Sequence, residues 1–292
     1  MNTVREYAGA KINLYLNITG KRTDGYHEIR TVMHTVALAD EISVTASPSH
    51  TPVVSMTVEG DTFLPTDTRN LAVRAAEAFL VASGRSLAVG IRLKKRLPVA
   101  AGLAGGSSDA AAVLRAMNRL CRKPLTGARM LALAADIGSD VPYCYVGGTA
   151  LCTGRGEILK TRLCAVPRWF VLVSSEERMS TPHAYAALDA ANADFSAPLL
   201  PDTEKEAQLL AALRDGEPLP PLYNIFETAV LPSCPRAAEA KIRLLALGAE
   251  RALMSGSGPS VFGVFPSQEA AQRAGEDLTA AGYRAFVTRT AE

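Results

Sequence analysis

The segment Pro98-Val-Ala-Ala-Gly-Leu-Ala-Gly-Gly-Ser-Ser-Asp109 decides how this chain is read. Its three glycines and three alanines let the backbone bend tightly and come close to a ligand. Residues 107–120 (SSDAAAVLRAMNRL) then read as a helix, with hydroxyl and carboxylate residues in its first turn and Leu114, Met117 and Leu120 on one face. A strand at 89–93 (VGIRL) precedes the loop, so the order is strand, glycine-rich loop, helix. The unpaired amides of a first helical turn, with the positive end of the helix dipole, form an anion site whose usual occupant is phosphate. Ser107 and Ser108 add hydroxyls for a phosphate or a bound Mg²⁺. The loop lacks the Gly-Lys-Ser/Thr ending of a P-loop, and glycines at 102, 105 and 106 do not fit Gly-x-Gly-x-x-Gly. The competing reading is a plain turn capped by Ser107 or Ser108, but three glycines exceed what a turn needs.

Upstream, residues 7–18, 31–38, 41–46 and 53–58 are rich in Val, Ile and Thr and predict strands, followed by a helix at 70–82. A second helix is predicted at 126–137 and a glycine-rich hairpin over 147–159. A boundary near Pro167-Arg168 divides the chain into domains 1–165 and 166–292. The second half alternates strand 169–174, helices 181–191, 204–214 and 235–247, a strand over 253–265 interrupted by glycines, helix 267–281 and strand 284–288. The class is α+β, with a sandwich for the second half. Residues 198–221, rich in proline and charge, predict a surface excursion.

Lys and Arg total 31 against 29 Asp and Glu, so no global field draws the chain to nucleic acid or an anionic membrane. No apolar run reaches the length of a signal peptide core or a membrane span, and the expected location is the cytoplasm. Five scattered cysteines without a Cys-x-x-Cys pair read as reduced filler side chains, and no metal site is predicted from protein ligands.

The glycine-rich loop is preceded by Ala8-Gly-Ala-Lys-Ile-Asn13 and followed by Met254-Ser-Gly-Ser-Gly-Pro-Ser260. Three motifs in that order resemble the GHMP kinase superfamily along nearly the whole chain. Arg22-x-Asp-Gly-Tyr-His-Glu28 and Ile137-Gly-Ser-Asp-Val-Pro142 resemble its diphosphocytidyl-methylerythritol branch. The resemblance implies two domains: an N-terminal α/β domain like ribosomal S5 domain 2 that binds ATP, and a ferredoxin-like C-terminal α+β sandwich. It implies ATP and Mg²⁺ as cofactors and a small-molecule alcohol as acceptor, with the chain a monomer or weak homodimer. Two departures stand out: alanines at 100, 101 and 104 where relatives often carry glycine, and Ile225 in Asn224-Ile-Phe-Glu227.

Phosphoryl transfer needs an oriented nucleophile, a base and cations against the developing charge. Asp140 is a carboxylate in an otherwise apolar run, where burial implies a cationic partner such as Lys11. By resemblance Asp140 is the general base, and Lys11 stabilises the alkoxide or holds Asp140; a structural ion pair is the alternative. The phosphate loop comprises Pro98, Val99, Ala100, Ala101, Gly102, Leu103, Ala104, Gly105, Gly106, Ser107 and Ser108. Asn13, on the same strand face as Lys11, is a substrate ligand or a polar residue satisfied within the sheet. Tyr26 and His27, in a turn with little core to fill, become by resemblance a wall and an edge reader of a cytosine pocket. Tyr185, with Thr181 nearby, is a candidate second wall or a residue of ordinary helix packing. Ser255, Gly256, Ser257 and Gly258 form a loop that closes near the phosphates or a simple hairpin.

Overall fold

The computed structural model describes residues 2–60, 63–175, 177–191 and 202–291. The chain forms two compact units, each assembled from three segments: Met1–Ala10, Ala39–Val99 and Ala104–Gly147 in the first, and Lys11–Leu38, Ala100–Leu103 and Gly148–Glu292 in the second. Strands β1 (Asn2–Lys21) and β2 (His27–Pro48) are long enough to supply both units. The sequence predicts a break in β2 near Ala39-Asp40, but the strand is continuous. Asp40, wholly buried, replaces a turn with side-chain bonds: its Oδ1 accepts from the Arg96 and Leu97 amides at 2.6 and 2.8 Å.

In the first unit, β1 and β2 join β3 (Val53–Glu59) and β4 (Leu87–Lys94) in the order β3-β4-β2-β1. β4 is parallel to β3 and antiparallel to β2, with Glu41 opposite Lys94. Along β4, Val89, Ile91 and Leu93 are buried while Arg92 and Lys94 face out, the period-two pattern of a sheet covered on one face. The cover is α1 (Leu71–Ser83), α2 (Gly105–Leu120), α3 (Gly127–Ile137) and α4 (Val141–Val146). Asn70 caps α1 by accepting from the Ala72 amide, and Thr126 caps α3 by accepting from Arg129. Phe79, Leu80, Val113, Leu114 and Met117 meet Ile42, Val44 and Ile91 in the core. The six residues of α4 are too few for a periodic signal, and the sequence gives no warning of that helix.

In the second unit, β5 (Thr149–Thr153), β6 (Ile158–Leu163) and the short β8 (Tyr223–Asn224) flank β1 and β2 in the order β8-β1-β2-β5-β6. A separate antiparallel sheet runs β11-β7-β10-β9, from β7 (Trp169–Ser174), β9 (Arg251–Met254), β10 (Val261–Phe265) and β11 (Arg284–Arg289). Helices α8 (Pro235–Ala246) and α9 (Gln268–Ala280) complete a split β-α-β arrangement, the ferredoxin-like sandwich the resemblance implies. Helices α5 (Thr181–Ala191), α6 (Thr203–Asp215) and α7 (Glu227–Val230) complete the unit. The predicted strand over 253–265 is two strands joined by a turn at the glycines.

The excursion predicted over 198–221 is corrected where it is described; residues 198–201 lie outside the described residues. Leu209 and Leu213 of α6 are buried, and Glu206, 2% exposed, binds Arg30 through both carboxylate oxygens. The helix predicted at 204–214 is present, and what the surface composition concealed is its docking, because one buried face needs only every third or fourth residue. Ile225 is also explained: it is 7% exposed within the second unit's core, and its amide donates to the Leu16 carbonyl at 3.0 Å.

Candidate active site

Residues 98–104 form the loop that leads into α2 at Gly105. Gly102 has φ +74°, and Ala100 and Ala104 share that left-handed region at +54° and +53°. These alanines stand where glycine would cost nothing, so each stores roughly 1 kcal/mol or more of backbone strain. Ala104 opens α2 without a side-chain cap, which leaves the first-turn amides to a ligand. Gly106 is exposed, and a Cβ there would meet only Leu71 Cδ1 at 3.8 Å. A helix start of this kind fits a polyphosphate. Pro98, Ala101 and Leu103 turn inward, whereas Val99 is exposed and Gly105 and Ser107 are half-buried. The Ser108 hydroxyl is committed, donating to the Gly9 carbonyl at 2.7 Å.

Behind this loop the first unit buries three charges that the sequence does not point to. Lys95 Nζ donates to Asp40 Oδ2 at 2.6 Å and Asp109 Oδ2 at 2.7 Å, and all three side chains are at most 4% exposed. Two carboxylates share one ammonium, and Asp109 Oδ1 is buried without a partner among the described residues. Burial pushes the Asp109 carboxyl up to about 7, with Lys95 opposing and Asp40 assisting. Burial pulls the Lys95 ammonium down, but the two carboxylates outweigh it and its pKa is raised. A Cβ on Gly105 would lie 3.0 Å from Lys95 Nζ, so this cluster abuts the start of α2.

In the second unit, Lys11 and Asn13 do share a strand face: Lys11 Nζ donates to Asn13 Oδ1 at 2.7 Å, and Asn13 Nδ2 donates to Thr31 Oγ1 at 2.8 Å. Both are buried, at 4% and 1% exposure. The Lys11 amide donates to the Leu103 carbonyl, and a Cβ on Gly256 would reach Lys11 Nζ at 3.3 Å. The Ser255 loop touches the glycine-rich loop directly: Ser255 Oγ donates to the Gly102 carbonyl at 3.0 Å, and a Cβ on Gly102 would lie 2.2 Å from the Ser255 carbonyl oxygen. Both glycines are therefore required by close backbone approach. Ser257 and Thr181 hydroxyls are 3.1 Å apart. Gly258 precedes a cis proline, Pro259.

Two residues outside the predicted site hold this loop. Asn224 Nδ2 donates to the carbonyls of Met254 and Gly256 at 2.7 and 2.8 Å. Glu227 accepts the Met254 amide on Oε1 and Lys241 on Oε2. The Asn-x-x-Glu spacing was visible in the sequence, but its partners in the Ser255 loop lie 27 to 32 residues away.

The aromatic turn is also assembled in the second unit. Tyr26 is 53% exposed, with the Arg155 guanidinium 4.8 Å above its ring. His27 is buried, and its ring centroid lies 4.8 Å from that of Tyr185, which backs onto Phe226 at 4.7 Å. His27 Nε2 lies 2.7 Å from Asp189 Oδ1. Arg22 braces the turn through Asp24 and Glu28, and Glu28 accepts from the Gly154 amide. Asp140 belongs to the first unit, half-buried at the N-cap position of α4. Among the described residues no group of His, Cys, Asp and Glu side chains is arranged to hold a metal ion, and no helix is long and apolar enough to cross a membrane.

The model of the GHMP kinases N terminal domain matches residues 70–148, and that of the GHMP kinases C terminal domain matches 203–284. A 4-diphosphocytidyl-2-C-methyl-D-erythritol kinase of Exiguobacterium sibiricum is 42% identical over 278 residues, covering 93% of this chain and 92% of that protein. One from Mycolicibacterium gilvum is 43% identical and covers 93% and 85%. The crystal structure of a 4-(cytidine 5'-diphospho)-2C-methyl-D-erythritol kinase superposes with a TM-score of 0.81 at 36% identity, covering 99% of this chain and 100% of the other. A homoserine kinase from Cytophaga hutchinsonii shares the fold, with a TM-score of 0.75 at 20% identity. With both domain models matched and relatives above 40% identity along nine tenths of its length, this chain belongs to the GHMP kinases, in the 4-diphosphocytidyl-2-C-methyl-D-erythritol kinase family.

Proposed function

We propose that this chain transfers the γ-phosphate of ATP to the 2-hydroxyl of 4-diphosphocytidyl-2-C-methyl-D-erythritol, a step of non-mevalonate isoprenoid precursor synthesis. The observation that carries this reading is the match to relatives of that name at 40–43% identity over more than nine tenths of the chain. Neighbours named for homoserine or mevalonate share 20% and 14% identity and support only the fold. The alternative is another alcohol acceptor of the mevalonate or homoserine type, and the Asp24-Gly-Tyr-His27 turn argues against it.

ATP supplies the phosphoryl group and Mg²⁺ screens its charge. The first-turn amides of α2 and the hydroxyl of Ser107 bind and orient the phosphates, and Ser107 would be the protein oxygen to hold Mg²⁺. Asp140 takes the proton of the acceptor hydroxyl, and Lys11 stabilises the developing alkoxide. Asn13 orients Lys11 and the substrate. Tyr26, His27 and Tyr185 bind the base, Thr181 binds substrate beside them, and the loop of Ser255, Gly256, Ser257 and Gly258 closes over the phosphates. The ATP-binding role is assigned to an N-terminal domain over 1–165 and the rest to a C-terminal domain over 166–292, with residues 11–38 and 148–165 packed in the second compact unit. The near-neutral charge argues against a nucleic-acid or anionic-membrane partner, and the reading is of a cytoplasmic enzyme with a small-molecule partner, acting as a monomer or weak homodimer.

ADP release from purified protein with ATP and Mg²⁺ tests the proposal on the diphosphocytidyl substrate, mevalonate and homoserine. Turnover is expected on the first alone, and Asp140→Asn is expected to lower kcat by roughly 10²–10⁴-fold. Turnover on another alcohol would leave a kinase without a cytosine pocket, and silence on all three would overturn the activity.

A further inference from the structure

Asp189 is assigned no role in the proposed reaction, yet it organises the imidazole of His27. Its Oδ1 lies 2.7 Å from His27 Nε2, and its Oδ2 accepts from Lys21 Nζ at 2.8 Å. Partial burial would raise the Asp189 carboxyl, but the bonds from Lys21 and His27 win and hold it below the usual carboxylate range. An ionised carboxylate only accepts, so the proton in the short contact belongs to His27 Nε2. A neutral ring that carries its proton on Nε2 presents Nδ1 as an acceptor.

One helix supplies both restraints. Tyr185 and Asp189 are four residues apart on α5, so they project from the same face, one against the imidazole ring and the other against its Nε2 edge. Phe226 backs Tyr185 edge-on and keeps that stack in place. With its tilt and tautomer both set, the imidazole distinguishes a donor from an acceptor on a pyrimidine. Cytosine presents a 4-amino donor where uracil presents a 4-oxo acceptor.

We propose that Asp189 is a positioning residue that determines base specificity: by holding His27 as the Nε2–H tautomer it makes Nδ1 an acceptor for the amino group of cytosine and a poor partner for uracil. This rests on the reading of Tyr26 and His27 as the base-binding turn. Asp189→Asn is an informative variant, because Lys21 still demands an oxygen and so turns the amide NH₂ toward His27 Nε2. That donor forces the proton onto Nδ1 and reverses what the ring can read.

The test compares the diphosphocytidyl substrate with its diphosphouridyl counterpart in wild type and Asp189→Asn, with histidine ¹⁵N spectra recorded on both proteins. Wild type is expected to favour cytidyl in kcat/KM by roughly 10–100-fold or more, the cost of facing an acceptor with an acceptor. Asp189→Asn is expected to bring that ratio to unity or below through KM, with kcat little changed. The His27 spectrum should move from the Nε2–H to the Nδ1–H tautomer, which loss of packing alone would not produce. A wild-type ring found as Nδ1–H or imidazolium at pH 7.5 overturns the proposal even if the variant fails to fold. A variant that keeps the wild-type ratio overturns it while leaving the base-binding turn intact. A wild type that phosphorylates both substrates equally overturns the base-binding reading itself, and this proposal with it.

Discussion

At the scale of single residues, the site depends on positions where a side chain cannot be added. A Cβ on Gly102 would meet the Ser255 carbonyl oxygen at 2.2 Å, in a backbone conformation of φ +74° that disfavours any L side chain. Gly102→Ala is therefore expected to destabilise by more than about 1 kcal/mol and to weaken ATP binding at least tenfold, as read by thermal melts and titration calorimetry. Ala104 carries the opposite expectation. Its φ of +53° is strained for alanine, so Ala104→Gly should raise stability by about 0.5–1 kcal/mol in a denaturant titration. The alanines were visible in the sequence as departures from glycine, but only the backbone shows that two of the three, Ala100 and Ala104, occupy left-handed positions.

Between elements, buried polar groups set the loops. Asn224 ties β8 to the Ser255 loop through two carbonyls, so Asn224→Ala leaves both without their donor, a loss of about 1–3 kcal/mol. The variant should keep its fold while KM for ATP rises, a split that steady-state kinetics resolves. The three charges linking β2, the segment after β4 and α2 respond to pH. The Asp109 carboxyl is raised to about 7 by burial, so between pH 4 and 7 the folded chain holds a proton that the unfolded chain has released. That group lowers stability as pH rises through this window, by at most about 1.4 kcal/mol per unit. Asp109→Asn leaves Lys95 and Asp40 as a neutral pair, and its stability relative to wild type should climb from pH 4 to 7 and level off above. A flat difference across that range in denaturant melts would contradict the raised pKa. The sequence predicts separate strands at 31–38 and 41–46 with Asp40 between them, because the partner that lets this carboxylate be buried in one continuous strand, Lys95, is 55 residues away.

For the molecule as a whole, each compact unit gathers distant parts of the chain. The core of the second unit includes Leu16, Ile18 and Ile29 from β1 and β2, and β8 pairs with β1 at Tyr15 and Leu16. A fragment of residues 166–292 lacks those side chains and that pairing strand. It is expected to show reduced secondary structure by circular dichroism and no cooperative melt, whereas a chain retaining residues 11–38 in cis restores both.

Local chemistry encodes the strand, glycine loop and helix of the phosphate site, the α+β class, and most element boundaries to within a residue or two. Periodicity, caps and glycine act over a few residues and need no partner to be read. Tertiary structure alone decided which of those elements meet. The Asp40, Lys95 and Asp109 cluster, the Asn224 and Glu227 brackets on the Ser255 loop, and the Asp189 contact that sets His27 each join residues far apart in the chain. A buried charge or amide is stable only with its partner, and the sequence names each partner without saying where it stands.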